Sequence, residues 1–184
     1  MNNIILSDLK FLKYLYRDSI ISEINQLIDR FNFKNKKIYL NFEDDIYQCS
    51  KLVGHTLPDW FKGITIGNQI LILKYNEKYY DNYKEFKKII IHEIVHAILY
   101  NKLLCEIPNW LNEGIAIYLS KQDEDLQYEK FLEIGNTQID YSTDYFYERS
   151  YALTKCIINQ YGENKFFDNL LNNTNKFLCE INRR

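Results

Sequence analysis

The sequence predicts an α+β fold: a small mixed β-sheet, a long central helix, and a mainly helical C-terminal part. Three observations predict it. Residues 36–42 (KKIYLNF) and 64–73 (ITIGNQILIL) carry the alternating, β-branched pattern of strands. Residues 83–103 place Ile89, Ile90, Ile94, Val95, Ile98 and Leu99 around most of a helical girth, as in a helix buried on several sides. Beyond residue 105 the apolar spacing is helical. A chain of 184 residues with no linker or repeat is expected to form one domain over 1–184, with an upper α/β part (1–104) and a lower helical part (105–184).

The elements follow in order. Residues 7–32 read as helical, because Leu9, Leu12, Leu15, Ile20, Ile24, Leu27, Ile28 and Phe31 recur at three- and four-residue steps. Ser7 is the expected N-cap with Asp8 in the first turn, and a break near Arg17–Ser19 would divide the stretch into two helices. A strand over 36–42 comes next, and 43–55 has no decisive pattern. Gly67-Asn68 marks a tight turn between two strands within 64–73. Pro108 suits the first turn of a helix over 109–120. Leu126, Tyr128, Phe131, Leu132 and Ile134 predict a helix over 122–136, followed by irregular chain over 137–146. Residues 147–161 read as a helix stopped by Gly162, and 163–174 as another.

Composition excludes several classes. With 46% apolar and 26% charged residues the chain is globular, not disordered. A net charge of −2 and the lack of basic patches give no reason to expect nucleic acid as a partner. No run approaches the roughly 20 apolar residues of a membrane span. The apolar run before Ser7 is too short for a signal peptide, so no membrane partner and a cytoplasmic location are expected. Cys49, Cys105, Cys156 and Cys179 are far apart and form no C-x-x-C pair, so scattered buried thiols are expected rather than a cysteine zinc site. Oligomeric state is not encoded in any pattern here.

The chemistry concentrates in residues 88–118. His92-Glu93-x-x-His96 is H-E-x-x-H. On a helix, residues i and i+4 lie on nearly the same face, so both imidazoles can serve one ion. Glu93 sits slightly around the helix, where it can act on water as a base. This spacing is the zinc peptidase arrangement. Only three histidines exist in the chain, and two are here. The third, His55, is lone and reads as an ordinary histidine. A catalytic zinc takes three protein ligands and keeps one position open. Residue 102 is Lys, so no third histidine follows at the corresponding offset. Glu113, one turn into the helix over 109–120, is the candidate third ligand, with Glu106 and Asp123 as rivals. Asn112 could orient a ligand. A peptide substrate held by main-chain hydrogen bonds needs an edge strand, and the run over 69–73 is nominated, with Gln69, Ile70 and Leu71 as its contacts. An interior strand would have the same periodicity.

The segment Trp110-Leu111-Asn112-Glu113-Gly114-Ile115-Ala116, with Glu113 17 residues after His96, resembles the gluzincin peptidases. It is similar to the zinc aminopeptidases of the alanyl-aminopeptidase and leukotriene-hydrolase kind, and to compact peptidase MA-like domains. A second match lies downstream. The family has a V-Y-E-K-G segment, then a helix and a G-E-x-x-F turn; this chain has Phe146-Tyr147-Glu148-Arg149-Ser150 and later Gly162-Glu163-Asn164-Lys165-Phe166. The resemblance covers about residues 57–172. It implies a zincin-like fold, one bound Zn2+, ligands His92, His96 and Glu113, Glu93 as general base, and Tyr147 as the phenol that stabilises the oxyanion. Composition alone does not choose among Tyr141, Tyr145, Tyr147 and Tyr151. The G-x-M-E-N exopeptidase signature is absent, so the implied activity is zinc-dependent hydrolysis of peptide or protein substrates, as an endopeptidase or short-peptide hydrolase. The alternatives are another metal-dependent hydrolase, or a latent or non-catalytic zinc-binding module on the same fold.

Overall fold

The alternating runs pair into a four-stranded mixed sheet in the computed structural model, which describes residues 3–7, 9–16, 19–33, 36–103, 105–131, 139, 141–142 and 144–181. The chain divides into two units, Met1–Asn101 and Lys102–Arg184. The architecture is mixed α+β.

In the first unit the strands are β1 (Ile4–Leu6), β2 (Ile38–Glu43), β3 (Gly63–Ile66) and β4 (Gln69–Leu73), in the order β1-β2-β4-β3. β2 is parallel to both β1 and β4, while β3 and β4 form an antiparallel hairpin. The hairpin turns at Gly67, whose φ of 63° is the left-handed value that glycine adopts at no steric cost. β1 escaped sequence reading because three residues carry too little periodicity; its pairing with β2 makes it a strand.

The register puts Ile38, Leu40, Phe42, Ile70 and Ile72 on one face, none more than 2% exposed. That face receives α4 (Tyr83–Lys102), whose Phe86 ring lies 6.1 Å from that of Phe42. α4 buries Phe86, Ile90, Ile91, Ile94, Val95, Ile98 and Leu99, so it is apolar around most of its circumference, as expected of a central helix. Burying one such Ile or Leu is worth about 1.5–3 kcal/mol.

Around this centre lie α1 (Leu12–Tyr16), α2 (Ile20–Arg30) and α3 (Ile46–Val53). The break between α1 and α2 falls where it was expected, with Ser19 at a φ of 61°; Arg17 and Asp18 lie outside the described residues. The Ser7 main-chain N–H donates to the Leu40 carbonyl at 3.2 Å, continuing the sheet, and helical structure begins with a 3-10 turn at Leu9–Phe11. Asp8 lies outside the described residues. α3, in the stretch without a decisive pattern, begins at Asp45, whose carboxylate accepts the Gln48 main-chain N–H at 2.8 Å, and ends at Gly54 with a φ of 86°. Asp-x-x-Gln before an apolar turn is a capping signature that was legible.

In the second unit α5 (Asn109–Ser120) packs on α6 (Phe146–Tyr161), followed by α7 (Glu163–Asn172) and α8 (Thr174–Ile181). The α5–α6 approach is close at Gly114: a Cβ there would lie 2.0 Å from Thr154 Oγ1 and 2.4 Å from the Ser150 carbonyl oxygen. Phe166, Phe177 and Tyr161 tie α6, α7 and α8 together through edge-on ring contacts. The helix expected over 122–136 is corrected. Its described part holds only 3-10 turns at Gln122–Asp125 and Glu129–Phe131, because Asp123 and Tyr128 are drawn into polar contacts with α6; residues 132–138 lie outside the described residues. Among the described residues, no helix is long and apolar enough to cross a membrane.

Candidate metal centre

His92 and His96 lie one turn apart on α4, and their Nε2 atoms come within 3.0 Å of each other. Two nitrogens bound to one zinc at about 2.0–2.1 Å in a tetrahedron would stand about 3.4 Å apart. The pair is therefore pre-set close to a shared-ion geometry. His92 and Glu93 are 8% and 7% exposed, in a helix whose other buried residues are mostly apolar. Polar groups are costly to hold there without compensation.

The Glu93 side chain lies against β3. A Cβ on Gly63 would lie 3.0 Å from Glu93 Cγ and 3.2 Å from its Oε1, so glycine leaves the room that this carboxylate occupies. Two residues along the strand, on the same face by the period of two, the Thr65 hydroxyl donates to Glu93 Oε2 at 2.7 Å or to the Glu93 main-chain oxygen at 2.9 Å. β3 is thus shaped around Glu93 by one absent side chain and one hydroxyl. The signal in the sequence was the strand alternation itself, which puts 63 and 65 on one face; what that face meets was not in it.

In the second unit Glu113 sits on α5 and is 8% exposed. Its Oε1 accepts a hydrogen bond from the Tyr141 hydroxyl at 3.0 Å. Asn112, the preceding residue, is half-buried. The rival acids are placed elsewhere. Glu106 is exposed. Asp123 Oδ2 accepts the Tyr151 hydroxyl at 2.7 Å and lies 3.9 Å from Lys155 Nζ. Burial, and next the bond to Asp123, push the Tyr151 phenol above its ordinary pKa. Tyr147, the second residue of α6, is 41% exposed with its ring edge-on to Phe146. His55 is exposed.

The edge-strand assignment of Gln69, Ile70 and Leu71 is corrected. β4 is paired on both sides, to β2 and β3, so its main chain is committed. β3 is the outer strand. The reason is topological: β4 enters the sheet parallel to β2, and the tight turn then leaves β3 outside. Ile70 is fully buried, while Gln69 and Leu71 line an open groove of about 360 Å³ on the sheet face away from Phe42, with Ile64, Ile66 and Leu52. The cysteines are free thiols, but only Cys49 is buried; Cys105 and Cys156 are half-buried and Cys179 is exposed.

No protein-family profile, no curated protein and no solved structure matches this chain.

Proposed function

We propose that the chain is a zinc-dependent peptidase of the zincin-like, gluzincin type, with His92, His96 and Glu113 as ligands of one Zn2+. The observation that carries the proposal is the histidine pair: the Nε2 atoms of His92 and His96, one turn apart on α4, lie 3.0 Å from each other, and Glu113, buried on α5, is the third ligand that the resemblance implies. Two imidazoles and one carboxylate are the donor set of a catalytic rather than a structural zinc site. The intact Glu93, braced by Thr65, supports catalysis over a purely structural ion, which needs no base.

When bound, zinc supplies Lewis acidity, lowering the pKa of water towards ~7 and polarising the substrate carbonyl. The chain's own residues do the rest. Glu93 takes a proton from the attacking water as the O–C bond forms, then delivers it to the leaving nitrogen as the C–N bond breaks. The Tyr147 phenol is assigned to the developing oxyanion, as the resemblance implies. β3, as the outer strand, replaces β4 as the strand offered to a substrate backbone.

The test is metal content and cleavage of a peptide library. Wild type should carry about one zinc per chain, and His92→Ala or Glu113→Ala should lose it. Glu93→Gln should keep the zinc and lose hydrolysis. Unchanged metal content in both ligand variants would sink the site, and undiminished cleavage by Glu93→Gln would sink the general base.

A further inference from the structure

Glu113 is held by a residue that no motif singles out. Tyr141 lies in the turn before α6, and its ring packs on Phe146 with centroids 4.5 Å apart. Phe146 is 5% exposed and so forms a fixed base for that ring. From this base the Tyr141 hydroxyl reaches Glu113 Oε1 at 3.0 Å, although the tyrosine as a whole is 57% exposed. The terminal torsion of a glutamate is broad, with no sharp rotamer well of its own. The plane of the Glu113 carboxylate must therefore be set by what it touches. A phenol O–H is a suitable partner: it donates one hydrogen bond, brings no competing charge, and needs no change of protonation.

We propose that Tyr141 is the positioning residue of Glu113. Its hydroxyl fixes the rotation of the carboxylate by engaging Oε1. The inference rests on the zinc reading above and deepens it. It also gives neighbouring tyrosines separate tasks. Tyr141 acts on the ligand. Tyr147, packed edge-on against the same Phe146 at 5.3 Å, has the task assigned to it at the substrate. Phe146 then serves as the common base of two phenols. Outer partners of this kind, when removed, cost about 10–100-fold in metal affinity.

The experiment is zinc affinity of the full chain by competition with a chromogenic chelator, joined to the visible spectrum of the cobalt(II)-substituted protein and the unfolding temperature of the metal-free protein. Tyr141→Phe keeps the ring on Phe146 and removes only the hydroxyl. It should weaken zinc binding about 10–100-fold. The cobalt bands should change as the carboxylate turns, and the metal-free unfolding temperature should stay at the wild-type value. Tyr147→Phe should bind zinc like wild type. Wild-type affinity and spectrum in Tyr141→Phe, with zinc still lost in Glu113→Ala, would overturn the role of Tyr141 and leave the zinc site standing. A fall in affinity matched by a fall in metal-free stability would also overturn it, since the hydroxyl would then be structural. Zinc retained in both His92→Ala and Glu113→Ala would overturn the site itself, and Tyr141's role with it.

Discussion

The Thr65 hydroxyl lies 2.7 Å from Glu93 Oε2 and 2.9 Å from the main-chain oxygen of the same residue. One hydroxyl proton serves one acceptor at a time, so Thr65 can hold the carboxylate or turn to the carbonyl. A general base must stay within hydrogen-bond reach of the water it deprotonates, and Thr65 limits how far Glu93 can swing.

Thr65→Val keeps the shape and removes the hydroxyl. Losing a hydrogen bond to a charged group, about 1.5–3 kcal/mol, should lower kcat about ten-fold or more, with zinc content unchanged. Thr65→Ser should restore most of the rate. A valine variant with wild-type kcat would show that the hydroxyl does not matter to Glu93.

Gly63→Ala tests the other half of the same contact. The added methyl would stand 3.0 Å from Glu93 Cγ, which is too close, so the side chain has to move by a few tenths of an ångström. Displacements of about 0.5 Å matter to catalytic groups. The expected result is a folded protein with full zinc content and reduced kcat, read by peptide hydrolysis against metal analysis.

Gly114→Ala should damage the second unit. Its Cβ would meet Thr154 Oγ1 and the Ser150 backbone well inside van der Waals contact, between two helices held at close approach. Over-packing of this kind costs about 3 kcal/mol or more when backbone must shift. A lowered denaturant midpoint checks it. Wild-type stability would mean that α5 and α6 separate without penalty.

Cys49 sets an alkaline limit. Burial, and next the charges of Glu43 and Asp45, push its thiol above its ordinary range, up to about 12. The folded state therefore holds this proton more tightly than the unfolded chain. The stabilisation is complete below pH 9 and is lost as pH rises from there towards 12. Tyr80 and Tyr151, raised by burial first, act in the same direction above their ordinary values. Stability against urea should fall steadily above about pH 9. Iodoacetamide at neutral pH should modify exposed Cys179 and spare Cys49 until the protein unfolds. Rapid native alkylation of Cys49 would contradict its burial.

Elements whose signals are local were legible in the residues alone. The spacing of α4, α5 and α6, the hairpin turn at Gly67, and the one-turn interval between His92 and His96 all follow from periodicity and turn chemistry. The residue types available to an ion were equally legible. Whatever depends on partners far along the chain waited on the fold. Strand alternation cannot say which arm of a hairpin lies outside; the pairing of β4 with β2 makes β4 interior. Four tyrosines between 141 and 151 are alike in sequence, and only packing on Phe146 brings the Tyr141 hydroxyl to Glu113. The residues that brace Glu93 are Gly63 and Thr65, about thirty positions earlier. The physical reason is the same in each case: a helix or turn is set by neighbours a few residues away, whereas the aim of a carboxylate is set by whatever the fold packs against it.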